Sequence, residues 1–222
     1  MNSPISTGHD GLIDKVLTQE ERDKLTPDEI IAELKVGNGR FVAGDVTIRN
    51  HKAQIREATA GQSPKAIILS CVDSRVPVED VFDLGIGDIF VARVAGNFVN
   101  TDILGSMEFA CHVAGAKLIL VMGHEQCGAI MSAVDRVDLG NITAMLSSLL
   151  PAVDEIVGEG FQGEHTSVNK KFVHAVCERN VRLSIARIRA ESPLLLEREE
   201  AGQLVIRGGL YDLSTGAVTF LD

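Results

Sequence analysis

Two short stretches carry residues able to do chemistry. "ILSCVDSRVPVED" covers residues 68–80 and "LILVMGHEQCGAI" covers 118–130. In the first, an apolar run stops at Cys71, and Asp73 and Arg75 follow at alternate positions. In the second, an apolar run stops at His124, with Cys127 three residues later. Two thiols and one imidazole form a zinc-type set, because Zn²⁺ favours thiolate sulfur and imidazole nitrogen in tetrahedral geometry. Two thiolates would cancel the charge of the ion. Asp73 would then either close the fourth position or, held away by Arg75, leave it to water; an open position separates catalytic zinc from structural zinc. Spacing alone also allows a plainer reading, in which Cys71, His124 and Cys127 are ordinary buried residues. Asp73 and Arg75 weigh against it, since neither belongs at the end of a core strand unless something polar is there.

Such a set needs strands that end together. "KAIILSCV" (65–72), "DIFVARVAG" (88–96) and "KLILVMGH" (117–124) read as nearly continuous apolar strands. "DILGSMEFACHVAGA" (102–116) and the segment from Cys127 read as helices between and after them. This alternation predicts an α/β fold, with a mostly parallel central sheet flanked by helices. Open parallel sheets place their sites outside the carboxyl ends of strands, where Cys71 and His124 fall. Cys127 would open the next helix, whose dipole favours a thiolate. Residues 142–157 and 168–191 read as helices, with Pro151 kinking or starting one. "LVIRGGLYD" and "AVTFL", joined by "LSTG", read as a closing strand with a hairpin partner.

Before the first strand, "TPDEIIAELKVGNGRFVAG" carries helix start signals: Thr26 as cap, Pro27 in the first turn and Glu29 three after the cap. The expected organisation is one domain over 1–222, with an N-terminal helical arm (1–60) and a metal-binding α/β core (61–222). The first 15 or so residues look loose. The arm offers an apolar stripe (Ile30, Ile31, Leu34, Phe41) with little of its own to cover it, so it is expected to pack on a neighbouring subunit.

Composition narrows the function classes. Hydrophobic residues are 45% of the chain, enough for a large core, but aromatics are 4% and Trp is absent, so that core is aliphatic. The formal net charge of −10 repels phosphate backbones, so no nucleic-acid partner is expected. No apolar run approaches the roughly 20 residues that span a membrane, and no signal-peptide pattern opens the chain. A cytoplasmic location is the expectation, in which Cys111 and Cys177 are core thiols and not halves of disulfides. His112 reads as a helix-surface residue, and His9, His51, His165 and His174 as solvated.

The paired motifs C-V-D-S-R (71–75) and G-H-E-Q-C-G (123–128) resemble the β-class carbonic anhydrases, and the resemblance covers roughly residues 26–221. It implies Cys71, His124 and Cys127 as ligands of one zinc ion per chain, and Asp73 with Arg75 as a catalytic dyad. It implies a homodimer or homotetramer whose N-terminal helices reach over the neighbour. The activity implied is reversible hydration of CO₂ to bicarbonate and a proton. Gln62, nine residues before Cys71, and Phe90 match the pocket of the plant-type branch, Gln62 as a hydrogen-bond donor and Phe90 as an aromatic wall. Phe109 stands where that branch often has Tyr, without the hydroxyl. Another branch uses a Trp three residues before the first ligand in a non-catalytic bicarbonate site. Here the residue is Ile68, so no such site near Arg93 is expected. Two alternatives share the same residues: hydrolysis of carbon disulfide or carbonyl sulfide, and a non-catalytic zinc-stapled assembly protein.

Overall fold

In the computed structural model, residues 12–221 are described. His9 and most of the stretch expected to be loose lie outside the described residues. Within them, Ile13 already exchanges backbone hydrogen bonds with Ile48 and Asn50.

Five strands form one sheet in the order β2-β1-β3-β4-β5. They are β1 (Ala66–Ser70), β2 (Ile89–Arg93), β3 (Leu118–His124), β4 (Val205–Tyr211) and β5 (Val218–Leu221). The first four are mutually parallel, and β5 returns antiparallel to β4 as the expected hairpin. β1 and β3 are buried throughout, which is why they read as unbroken apolar runs. Alternate residues serve opposite faces. Ile67, Leu69, Ile119 and Val121 enter one core, while Ala66, Ile68, Leu118 and Leu120 enter another. The chain leaves β1 towards β2, crosses back over β1 to β3, and then continues outward. The order therefore reverses between β1 and β3, opening a crevice at their carboxyl ends.

The first face is covered by α5 (Thr101–Glu108), the π-helical turn Phe109–Val113, α9 (Lys170–Glu191) and α10 (Pro193–Glu200). The second is covered by α2 (Pro27–Ala43) and the short α4 (Val78–Val81). A third apolar cluster, over the carboxyl ends of the strands, gathers α6 (Gly128–Val134), α7 (Gly140–Leu146), α8 (Leu150–Gly158) and α9. α9 lies very close to the sheet. Val181 fills the space that side chains at Gly123 of β3 and Gly208 of β4 would need, since a Cβ at either would come within 2.8 Å of it.

Thr26 and Glu29 form the expected capping box at the start of α2. Two smaller helices complete the arm, α1 (Gln19–Lys24) and α3 (His51–Ala58). The reason given for the arm reaching a neighbour is corrected. Ile30 and Leu34 are fully buried against Phe82 and the chain's own sheet, with Ile31 and Phe41 partly buried beside them. The chain's own sheet face covers the stripe, and Asn38 fixes the docking. Its amide donates to Val81 and Gly216 carbonyls and accepts from the Val218 amide. Three other expectations shift. The helix over 142–157 is two helices, with Pro151 in the first turn of the second; proline there forfeits no helical hydrogen bond. The strand over 88–96 ends at Arg93, and beyond it Gly96 and Asn97 take positive φ (83° and 41°). The helix over 102–116 widens into the π turn from Phe109.

Candidate metal centre

β1 delivers Cys71 one residue past its end, and β3 delivers His124 as its last residue. Cys127 is the cap residue of α6. The ligand atoms of these three lie within 4.8 Å of one another, and all three residues are buried. The Cys71 and Cys127 sulfurs are 3.9 Å apart. Two thiolates about 2.3 Å from a tetrahedral ion would stand about 3.8 Å apart, so the pair is set at the span such an ion requires. His124 Nδ1 lies 2.9 Å from the Glu125 carbonyl, which fixes the ring. Its Nε2 is buried with no hydrogen-bond partner. A buried, unpartnered imidazole nitrogen facing two sulfurs fits a metal ligand and costs stability otherwise.

Asp73 stands just off this set, its Oδ2 3.9 Å from His124 Nε2. Three donors of Arg75 hold it: the backbone amide and Nε at 2.9 Å from Oδ1, and an η-nitrogen at 2.7 Å from Oδ2. Arg75 keeps the Asp73 carboxyl well below the usual carboxylate range, outweighing the burial that raises it. Between the two thiols, Cys71 is held down chiefly by its hydrogen bond with Cys127, helped by His124 and the Gly96 amide. Cys127 is pushed up by that same bond and by burial.

Arg93, at the end of β2, donates to the Cys71 and Asp73 carbonyls at 2.8 and 2.6 Å. The Gly96 amide donates to Cys71 Sγ at 3.3 Å. Neither contact carries a motif in the sequence; both become visible only once β2 is paired beside β1. Cys111 and Cys177 are buried as expected, and burial pushes each thiol up to about 12. His112 is exposed. His174 and His165 are exposed as expected, and His174 Nδ1 also meets Glu125 Oε1 at 2.5 Å, a pairing made from α9. His165 likewise stacks on Phe172.

The three pocket residues do not join this cluster within the chain. Gln62 is exposed, with the whole of β1 between it and Cys71. Phe90 sits level with Ile67, four strand positions before Cys71, or about 13 Å at the usual strand rise. Phe90 and Phe109 instead meet edge to face, ring centroids 6.2 Å apart, in an open groove beside β2. Phe109 is 53% exposed. Within one chain these three residues therefore form no pocket beside the candidate ligands: β2 is an edge strand, and its groove faces outward.

Comparison with known proteins agrees with this architecture. The family model described as carbonic anhydrase matches residues 66–218. "Carbonic anhydrase 2" of Mycobacterium tuberculosis is 35% identical over 190 residues, covering 85% of this chain and 90% of that protein. A carbonic anhydrase of Mycolicibacterium smegmatis is 32% identical, covering 83% and 88%. Among solved structures, the β-carbonic anhydrase CafA of Aspergillus fumigatus superposes with a TM-score of 0.69 at 24% identity, covering 88% of this chain and 90% of that one. A tetrameric β-carbonic anhydrase of Sordaria macrospora gives 0.68 at 22% identity, covering 87% and 95%. By the extent of the family match and by the mycobacterial relatives, the chain belongs to the β-class carbonic anhydrases, a family of lyases.

Proposed function

We propose that this chain hydrates CO₂ reversibly to bicarbonate and a proton, with zinc held by Cys71, His124 and Cys127. The observation that carries the reading is the clamped carboxylate: Asp73 lies 3.9 Å from the unpartnered His124 Nε2 and is turned aside by three hydrogen bonds from Arg75. A purely structural zinc site has no use for a carboxylate held ready but off the metal. Zinc bound there would lower the pKa of a coordinated water and supply hydroxide near neutral pH. Asp73, ionised and acceptor-only, would take a hydrogen bond from the nucleophile and direct its lone pair. Arg75 would keep Asp73 charged and out of the fourth position. Arg93, through the Cys71 and Asp73 carbonyls, would hold ligand and dyad on one rigid segment.

Gln62, Phe90 and Phe109 serve the same reaction in this reading, but in the site of a second copy. The resemblance assigns them to the pocket, and within one chain they lie on the outer side of β2 or before β1. A homodimer or homotetramer joined along that edge would bring them to a neighbour's zinc. The Sordaria macrospora relatives are tetrameric. The arm still has an outward face for such an assembly, with Val36, Val46, Ile48 and Ile55 exposed. No helix of the described residues is long and apolar enough to cross a membrane, and the proposed location is cytoplasmic.

The test is stopped-flow CO₂ hydration by the purified protein before and after zinc removal with dipicolinate, then after zinc is restored. Activity that falls with zinc and returns with it is expected. A zinc-loaded protein inert towards CO₂ would overturn the reading, and turnover of carbonyl sulfide or carbon disulfide alone would replace it.

A further inference from the structure

α9 carries two polar residues on its buried stripe, Asn180 and Ser184, among Phe172, Val173, Val176, Cys177, Val181 and Ile188. Both are nearly inaccessible. A buried amide or hydroxyl on an apolar stripe costs stability unless it is bonded, and both are spent on one turn. The Asn180 amide donates to the Gly96 carbonyl at 2.8 Å, and the Ser184 hydroxyl donates to the Asn97 carbonyl at 3.4 Å. That turn follows β2, and its Gly96 amide donates to Cys71 Sγ.

Why the turn needs holding follows from its backbone. Gly96 has φ of +83°, and a Cβ there would sit 2.7 Å from a Leu149 methyl carbon. Glycine is required, yet glycine is also the residue freest to rotate its neighbouring peptides. The peptide joining Gly96 to Asn97 is pinned at both ends: its N–H donates to Val94 at 2.9 Å, and its carbonyl accepts from Asn180. With that peptide fixed, the preceding one, which carries the Gly96 N–H, keeps its aim at the sulfur.

We propose that Asn180 is a positioning residue for the metal centre: by holding the Gly96 carbonyl it aims the Gly96 N–H at the thiolate of Cys71. A hydrogen bond to a thiolate draws charge from the sulfur, so the sulfur gives less to the metal and the metal stays a better Lewis acid. Asn180 touches neither metal nor substrate. It sets the electronic character of one ligand from a different element, 84 residues further along the chain than the glycine it holds.

The inference rests on zinc at Cys71, His124 and Cys127, and its test separates the two. The proteins are the parent, Asn180→Leu (similar volume, no donor), Asn180→Ala, and Val181→Ala as a packing control on the same helix. Each is loaded with zinc, cobalt or cadmium-113. In the Asn180 variants, zinc release to 4-(2-pyridylazo)resorcinol should quicken by on the order of tenfold, because the loosened turn no longer holds Cys71 Sγ in place. The sulfur-to-cobalt charge-transfer band should move to lower energy. Val181→Ala should lower Tm and leave that band in place. In the cadmium-113 parent, a scalar coupling between metal and the Gly96 amide proton is expected, and it should vanish without Asn180. Should the variants fail to fold, the parent coupling still decides: no coupling overturns the proposal. An unmoved cobalt band and unchanged zinc release in both Asn180 variants overturn it, as does a Val181→Ala band shift of equal size. A parent that takes up no metal overturns the zinc reading as well, which distinguishes the two failures.

Discussion

The carboxyl ends of β1 and β3 and the outer edge of β2 make opposite use of the same sheet. At the strand ends, one chain assembles everything: Cys71, His124 and Cys127 converge within 4.8 Å, and Asp73 and Arg75 close on each other beside them. Along β2, the residues proposed for the pocket are scattered or face outward, with Phe109 exposed and Gln62 beyond the far end of β1. The first group is fixed by parallel register, which any correctly folded monomer must satisfy. The second has meaning only if another copy covers the edge. Metal binding and catalysis should therefore respond differently to assembly.

The largest effect should come from breaking the self-contained end. Cys127→Ser or His124→Ala should lose zinc and reduce CO₂ hydration to background, as metal analysis and stopped-flow assay would show. Stoichiometric zinc in Cys127→Ser would mean that the ligand set is wrong.

Arg75→Ala should come next. Asp73 would lose its two side-chain donors while standing 3.9 Å from His124 Nε2, and a freed carboxylate beside a cation prefers direct ligation. Zinc should be retained and kcat/KM should fall by about 10²–10³-fold. X-ray absorption should show four protein ligands. Near-parent activity would end the dyad mechanism.

The pH profile sharpens the same end. Arg75 keeps Asp73 below the usual carboxylate range, so Asp73 is already ionised well under pH 6. A lowered carboxyl pKa adds stability that is present above the unfolded value and lost only as pH falls through the folded one. Its contribution is thus constant across neutral pH, and kcat/KM rising there must report the nucleophile, in a macroscopic value shared with its neighbours. Two thiolates donate more charge than imidazoles, so that value should lie above about 7, the figure for a site with three histidines. A profile flat from pH 6 to 9 would contradict this.

The edge gives smaller effects. Gln62→Ala should lower kcat/KM roughly tenfold, the worth of one hydrogen bond of about 1.4 kcal/mol, with zinc unchanged. Its decisive form is mixing: co-expressed Gln62→Ala and Cys127→Ser chains should give hybrids more active than the sum of the separate variants. No gain on mixing would place Gln62 outside any neighbour's site. Phe109→Tyr should be smallest, within about 0.5 kcal/mol in stability and a few-fold in kcat/KM, because that ring already faces outward.

What could be read in advance divides along the same line. The strands, and the meeting of Cys71 and His124 at their ends, were legible because β1 and β3 are buried on both faces and end abruptly at those residues. The hairpin of β4 and β5 was legible from its turn. The burial of Ile30 and Leu34 was not, because a stripe on one helix does not say which surface covers it. Nor was the separation of Phe90 from Cys71, since a family pocket can be completed by a second copy and sequence does not mark which copy. Gly96 and Asn180 escaped for a third reason: their contact joins residues 84 apart through a backbone carbonyl, and backbone acceptors leave no trace in residue types. α10 had its signals in Ser192 and Pro193, and reading them would have found it.

Asn38 ties the arm to the turn between β4 and β5, bonding Gly216 and Val218 at sequence separations of 178 and 180. During synthesis that bond cannot form until the chain through Val218 has left the ribosome. The sheet can pair β1, β2 and β3 much earlier, so α2 must wait with Ile30 and Leu34 uncovered or lightly docked on Phe82. Long-range contacts of this kind slow folding and leave apolar surface open to association. Nascent chains stalled after Tyr211 should be cut by protease within α2 while β1 to β3 resist, and equal protection of both would show that the arm docks without the hairpin. The hairpin strand after Tyr211 would then decide when the first helix of the sheet's second face becomes part of the fold.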